Sequence, residues 1–300
     1  MKKCLLIMLL VFSCLAVSAE GYHGTEWIEI ADGAMLPADA SVELPAVIMR
    51  GALSYDEEEL IARLLGDDYL EKQSYSKESR DYVTNENKEP WEIKYVYINE
   101  YVTGYEFFYS DPWVAGERGG EYEPPQMNMM PSESALYARA LLSKYFHDDM
   151  LNNVSVVRQI SERWSYKDRW YTDMEYQRFQ KQQQVHYIVF DHHTKDGVPI
   201  LNDSLMGIVG VNGLSGFSLS WHDFDYREET IQPMPLQDAI NLASTTRSRK
   251  TTLLYAELCY SNWLTDWSDE YHLSWYLVTA NGDYVVDTVL NKHMCTMYEY

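Results

Sequence analysis

The sequence has 300 residues, of which 46% are hydrophobic and 23% charged, so the chain can form a substantial core and is neither disordered nor collagen-like. Its 24 Lys and Arg residues against 46 Asp and Glu residues give a net charge of −22. That charge argues against a nucleic-acid partner, because such a protein needs a basic surface. We therefore expect a folded, acidic protein that does not bind nucleic acid.

The first 19 residues have the order of features found in a secretory signal peptide. Lys2 and Lys3 precede an apolar run over residues 4–15, and the small residues 16–19 supply a cleavage site after Ala19. No later segment reaches the ~20 apolar residues that a transmembrane helix needs. We expect an exported protein, extracytoplasmic and either secreted or associated with the cell surface, with no transmembrane span after cleavage.

An alternative route of export is lipidation. The segment Val11-Phe12-Ser13-Cys14 loosely resembles a bacterial lipobox, in which Cys14 would become the lipid-modified N-terminus. Phe12 and the apolar residues after Cys14 fit that pattern poorly, and the segment before Glu20 fits simple cleavage well. We favour cleavage after Ala19.

Three helices are predicted by capping residues and helical spacing. The first begins at Ser54 with a capping box that uses Glu57, and it ends at Gly66. The second begins after Pro131, with Ser132 as its cap. The third begins at Pro235 and has apolar residues at i, i+3, i+4 and i+7, namely Leu236, Ala239, Ile240 and Ala243.

Between these helices the sequence is rich in β-formers. Strands are predicted within 95–109, with a break near Gly104, and again across 154–221. Two hairpins are indicated by Asn212-Gly213 and Asn281-Gly282, since Asn-Gly is a strong hairpin turn. Residues 116–131 contain glycines and prolines without periodicity, which is typical of a linker.

These elements predict an α+β fold made of repeated modules, each with one helix packed on an antiparallel β-sheet. The predicted division of the chain is a signal peptide (1–19), an N-terminal α+β region (20–115), a linker (116–131) and two modules (132–232 and 233–300).

The predicted modules resemble the PepSY-like modules of Gram-positive extracytoplasmic proteins, including the YycI/YycH type of kinase-regulatory protein. The matching segments are PLQDAINLA, YAELCY and LSWYLVTANGDYVVDTVL in the last module, and Asp196-Gly197-Val198-Pro199-Ile200 in the module before it. The resemblance covers about residues 132–300. It implies helix-on-sheet modules with roles in binding or restraint rather than catalysis.

A metal-dependent hydrolase is the alternative function. Asp191-His192-His193 ends a predicted strand, as in the metal-binding motif of the DHH phosphoesterases, and His186 could add a ligand. The upstream aspartate cluster of those enzymes is missing from the sequence. We favour a strand end that enters the turn at Lys195, and we expect no cofactor.

Four tryptophans are found in the last 80 residues, and two of them are in a polar segment between predicted strands. Trp275 alternates with Leu273 and Leu277, which predicts that it faces the core. Trp263 and Trp267 have no strand of their own, so they either contact a partner or cover the core of their module.

Our leading hypothesis is a non-enzymatic protein that binds a protein or peptide in the cell envelope. We expect the contact within residues 261–271, where Trp263 and Trp267 would be the aromatic anchors. Asp266, Asp269 and Glu270 would form an acidic rim that attracts basic segments.

After export, Cys259 and Cys295 are the two cysteines that remain. If their strands were neighbours, the two could form a disulfide in an oxidising compartment. We favour separate thiols.

The export hypothesis predicts the N-terminus of the mature protein. Expression in a Gram-positive host should give a chain that begins at Glu20, because the peptidase cleaves after small residues. Mass spectrometry of the intact exported protein measures this directly. A chain that begins at a lipid-modified Cys14 would establish the alternative.

Overall fold

The structure is a computed structural model that describes residues 22–74, 77–84, 94–101, 104–110, 131–164, 181–210, 213–245 and 250–297. The predicted signal peptide, Cys14 and residues 116–130 of the predicted linker lie outside these residues. In the described part of the chain, no helix is long and apolar enough to cross a membrane.

Strands dominate the described residues, and the predicted α+β class is confirmed. The three α-helices are α1 (Glu57–Leu65), α2 (Pro131–Leu142) and α3 (Leu236–Ser244), and Asp148–Leu151 forms a 3₁₀ helix. The strands are β1 (Ile28–Met35), β2 (Leu44–Pro45), β3 (Val47–Leu53), β4 (Leu70–Lys72), β5 (Ser79–Val83), β6 (Tyr95–Tyr101), β7 (Gly104–Ser110), β8 (Val154–Trp164), β9 (Lys181–His193), β10 (Pro199–Gly210), β11 (Gly213–Leu219), β12 (His222–Tyr226), β13 (Thr230–Ile231), β14 (Thr251–Ser261), β15 (Glu270–Thr279), β16 (Gly282–Asp287) and β17 (Lys292–Met297).

The chain forms two compact units, and each is assembled from separate segments. The first unit combines the described parts of Met1–Gly51, Thr194–Leu201 and Asp223–Tyr300. The second combines those of Ala52–His193 and Asn202–His222.

The first unit contains a sheet with β14 and β15 at its centre. β14 pairs with β15 antiparallel and with β1 parallel, while β16 pairs with β15 and β17. Helix α3 buries Leu236, Ala239, Ile240 and Ala243 against Trp275, Leu277 and other core residues of this sheet, as its predicted apolar spacing requires. Trp275 is 1% exposed, and its Nε1 donates to the Met234 carbonyl at 2.7 Å.

A second core cluster of this unit lies where β14 ends and β15 begins. Tyr260, Tyr271 and Leu273 are buried there, together with Ile48 and Ile200. The Tyr260 hydroxyl donates to the Pro45 carbonyl at 2.8 Å, and burial raises the pKa of this phenol. The segment that joins β14 to β15 therefore emerges from a packed base.

The second unit has a sheet in the order β8-β9-β10-β11-β7-β6-β5-β4. Both α1 and α2 contribute to its core, in which Ile98, Phe107, Phe190, Phe217 and Leu219 are fully buried. This unit therefore has two α-helices, whereas the sequence analysis predicted one helix per module. The predicted repetition of one module is not confirmed.

Two local predictions are corrected by the structure. The N-cap of α1 is Asp56, whose side chain accepts from the Glu59 backbone N–H at 2.8 Å, and not Ser54. The hairpin of β15 and β16 forms as predicted, but Thr279 is opposite Gly282, so its tip is Ala280-Asn281 rather than Asn-Gly.

The hypothetical disulfide is absent between Cys259 and Cys295, which are both described. Cys259 lies in β14 and Cys295 in β17, and the strands β15 and β16 separate them. Three strand spacings of about 4.8 Å exceed the Cα separation that a disulfide allows, which is at most about 7 Å.

We predict that both thiols react without reduction. The denatured, unreduced protein should be alkylated at Cys259 and at Cys295, as measured by mass spectrometry of tryptic peptides. A peptide pair that is joined through these two cysteines and separates only after reduction would contradict the strand order.

Candidate functional site

The segment 262–269 connects β14 to β15, and we name it the tryptophan loop. It begins after Ser261, which is opposite His272 across the hairpin. Glu270, the first residue of β15, pairs with Met49 of β3. Strand pairing therefore holds the C-terminal end of the loop, where β15 begins, beside both β14 and β3.

Asn262 braces the tryptophan loop from within. Its carbonyl oxygen accepts hydrogen bonds from the backbone N–H groups of Thr265 and Trp267, at 3.2 and 3.1 Å. Its side-chain Nδ2 donates to the Ser268 carbonyl at 3.0 Å. Thr265 Oγ1 donates to the Glu270 carbonyl at 2.9 Å, which ties the middle of the loop to β15. Such internal bonds compete well with water because Asn262 is 1% exposed.

Two consecutive residues of the loop adopt the left-handed conformation. Asp266 has φ 52° and Trp267 has φ 58°. Aspartate tolerates this region, but a bulky residue there is uncommon and costs of order 1 kcal/mol or more. The bonds around Asn262 hold this strained backbone, and strain of this kind is concentrated at binding sites.

The indoles of Trp263 and Trp267 are half-buried and lie beside each other. Their ring centroids are 5.8 Å apart, and the Trp263 ring also meets the Tyr276 ring edge-on at 6.2 Å. The Tyr276 hydroxyl donates to Asp283 at 2.5 Å. Trp263 is thus the inner anchor, which packs against β15, and Trp267 packs on Trp263.

The three acidic residues predicted as a rim have different surroundings. Asp266 and Glu270 are exposed. Asp269 Oδ1 accepts from Nε and Nη2 of Arg50, at 2.9 and 2.6 Å, and the Asp269 carboxylate is still 60% exposed. Arg50 offsets one of the three charges, so Asp266 and Glu270 supply most of the negative field.

A second polar cluster in the other unit is centred on Asp203, whose side chain is fully buried. Asp203 Oδ2 accepts from Nδ1 of His192 and Oδ1 accepts from Nδ1 of His222, both at 2.6 Å. The His222 backbone N–H and Ser220 Oγ also donate to this carboxylate. Because a carboxylate only accepts hydrogen bonds, both imidazoles carry a proton on Nδ1.

The surroundings of Asp203 favour a structural role. The His192 ring stacks on Trp221 with 4.3 Å between centroids, and His222 is buried. Ser220 Oγ bonds to the carboxylate and not to an imidazole nitrogen, so the group lacks the serine-to-histidine bond of a nucleophilic triad. The cluster joins β9, β10 and the start of β12.

The motif Asp191-His192-His193 forms the last three residues of β9, where side chains alternate between faces. His192 therefore points to the face opposite that of Asp191 and His193, and it binds Asp203. Within the described ranges, no group of three or more His, Cys, Asp or Glu side chains could hold a metal ion. The arrangement gives the alternative hypothesis no convergent ligand set.

His186, considered as a further ligand, is 1% exposed and shares a hydrogen bond with Ser134 of α2. Burial lowers the pKa of this imidazole, which favours the neutral form. Both side chains are inside the core, so this Ser-His pair is inaccessible to a substrate.

Sequence reasoning located both tryptophans but missed the residues that hold them. Asn262 directly precedes Trp263, and an Asn that starts a polar segment is a known turn residue, so the sequence offered a weak indication. Arg50 is distant in sequence from Asp269, and nothing local connects them. Asp203 is the middle residue of the polar run Asn202-Asp203-Ser204 in a largely apolar strand, and strand alternation places it on the same side as the buried Leu205, where a carboxylate needs partners.

Comparisons with known proteins give little family information. No protein-family model matches the sequence, and no curated protein matches it. The fold is similar to the solved Bacillus megaterium YpeB C-terminal domain with a TM-score of 0.40 and 12% identity, over 83% of this chain and 100% of that one. Similarity at this level is too low to assign a function, and the YycI/YycH type is not supported.

The Asp203 cluster yields a stability prediction. Asp203→Ala should lower the free energy of unfolding by about 3 kcal/mol, because the imidazole N–H groups of His192 and His222 lose a buried acceptor. Urea denaturation measures the change, and Asp225→Ala, at an exposed position, is the matched control. Equal stability of the two variants would show that the cluster contributes nothing to the fold.

Proposed function

We propose that this protein is an exported, non-enzymatic binding or regulatory protein of the bacterial cell envelope. The tryptophan loop is its contact site for a protein or peptide partner. The observation that carries this proposal is the loop itself, in which two half-buried indoles are held on a strained, internally braced backbone.

The physical argument starts from the cost of ordering a binding surface. A loop that is already fixed by Asn262 loses little conformational entropy when a partner docks. Indoles contribute large contact areas with few rotatable bonds, and truncation of such anchors typically costs ~2 kcal/mol or more. The Tyr276 ring packs edge-on against the Trp263 ring, so the indole is held against the sheet when a partner binds it.

Charge favours a basic contact region on the partner. Asp266 and Glu270 are exposed beside the indoles, and the whole chain has a net charge of −22. Complementary charge accelerates encounter and rejects acidic surfaces. Added salt should therefore weaken binding.

If this chain is exported, its partner must also be accessible outside the cytoplasm. The signal peptide that we predict for residues 1–19 supports a mature chain outside the cytoplasm, where envelope proteins with exposed Lys and Arg segments are accessible. A second function with metal-dependent chemistry lacks a supporting group of ligands in the described residues.

The double variant Trp263→Ala/Trp267→Ala tests the proposal. Envelope proteins that the wild-type chain retains should be identified by mass spectrometry and purified, and their Kd for each variant measured. We expect at least tenfold weaker binding by the double variant, about 1.4 kcal/mol, because both anchors are lost.

The control is Trp27→Phe, a change at a half-buried tryptophan near the opposite end of β14. Thermal melts of all variants show whether they remain folded. If the double variant is folded and binds the purified partner as tightly as the control does, the contact site is elsewhere and the proposal is wrong.

A further inference from the structure

Two buried polar atoms of the tryptophan loop have no hydrogen-bond partner among the described residues. They are the indole Nε1 of Trp263, which is a donor, and the side-chain Oδ1 of Asn262, which is an acceptor. Asn262 is 1% exposed, and its Nδ2 is already committed to the Ser268 carbonyl. Buried groups of this kind are costly, and most native structures pair them.

The main chain of a peptide supplies both kinds of partner. One residue of an extended segment presents its N–H and its carbonyl toward the same neighbour, so it offers a donor for Asn262 Oδ1 and an acceptor for Trp263 Nε1. In a helix these groups are used within the helix itself, but in an extended segment they remain available. The pair of atoms therefore favours an extended peptide over a helix.

The exposed carboxylates around the loop favour an extended peptide that carries Lys or Arg. Asp266 and Glu270 are exposed, and the Asp269 carboxylate remains 60% exposed although Arg50 donates to it. Arg50 itself is only 14% exposed and is fixed by this ion pair. A lysine or arginine of the ligand would find carboxylate acceptors, and its methylene groups could pack on an indole.

We infer that the tryptophan loop binds an extended peptide segment that carries Lys or Arg, with main-chain groups of that segment bonded to Trp263 Nε1 and to Asn262 Oδ1. This inference rests on the proposed function and names the class of partner. It also requires a movement, because both polar atoms are buried in this structure.

Trp267 is the residue that moves. Its ring packs beside that of Trp263, and its backbone has φ 58°, which is unfavourable for a bulky side chain. Rotation of the Trp267 side chain opens a path to Trp263, while the bond from the Trp267 backbone N–H to the Asn262 carbonyl stays in place. The binding of the peptide supplies the free energy for the displacement, since it pairs two groups that the closed loop leaves unpaired.

The test uses the full chain and a fluorescein-labelled peptide of three Gly-Lys-Ser repeats, with fluorescence anisotropy as the readout. The second peptide has N-methylated main-chain amides, and the third has Glu in place of Lys. We expect binding of the first peptide, at least about tenfold weaker binding of the second because its N–H donors are gone, and no binding of the third.

Trp263→Phe removes the indole N–H and keeps an aromatic ring, and Trp27→Phe is the matched control. We expect the Trp263 variant to bind the lysine peptide about tenfold more weakly than wild type and the control to stay within about twofold. If the Trp263 variant fails to fold, the N-methylated peptide on the wild-type chain decides the question alone.

The inference is overturned if the lysine peptide does not bind, or if N-methylation leaves its Kd unchanged. Either result leaves the proposed function intact as long as Trp263→Ala/Trp267→Ala still weakens capture of the purified envelope partner. Loss of that difference removes the proposed function itself, so the two failures are distinguishable.

Discussion

The antiparallel pairing of β14 with β15 places the candidate site and organises the unit that carries it. The pairing extends from Leu253 opposite Thr279 to Ser261 opposite His272. β1 adds to β14 and β16 adds to β15, while β17 extends the sheet through β16, and α3 covers residues of the same central pair. Full burial of a side chain such as Leu273 or Leu277 contributes about 1.5–3 kcal/mol, so the hairpin is a firm base for its connecting loop.

The tryptophan loop converts that base into a surface for binding. Eight residues connect the strands, and their geometry depends on Asn262, which binds the backbone on the opposite side of the loop. The resulting arrangement has strain at Trp267 and two unpaired polar atoms at its centre. A loop of pure scaffold would be expected to avoid both costs. A stable hairpin that carries a strained loop with unpaired polar atoms is typical of sites where binding supplies the missing interactions.

In the Asp203 cluster, by contrast, the buried polar groups bind one another and hold strands together. The Asp203 carboxylate accepts from His192 of β9, from Ser220, and from His222, the first residue of β12. A satisfied network of this kind fixes the relative positions of strands that are distant in sequence. In the sequence His192 belongs to a motif that resembles a metal site, whereas its bond to Asp203 favours a structural role.

The sequence predicted the elements of this fold better than their assembly. Alternation and helical spacing depend on local burial, so α1, α3 and the hairpin of β15 and β16 could be found from short segments. The two units could not, because the first combines segments that are separated by more than a hundred residues, and the second is interrupted by residues 194–201 of the first. The inward position of Trp275 followed from strand alternation, and the anchors Trp263 and Trp267 were visible as aromatic residues in a polar segment. The bond between Arg50 and Asp269 joins residues 219 apart, and no local pattern encodes it.

Hydrogen–deuterium exchange of the full chain, with and without the lysine peptide, tests the central claim most directly. In the free protein, the backbone N–H groups of Thr265 and Trp267 should exchange slowly, because both are bonded to the Asn262 carbonyl. The peptide should change exchange within residues 261–271 and leave the segment around Asp203 unchanged. Fast exchange of both N–H groups in the free protein, or a peptide-induced change confined to the Asp203 segment, would contradict a braced tryptophan loop as the contact site.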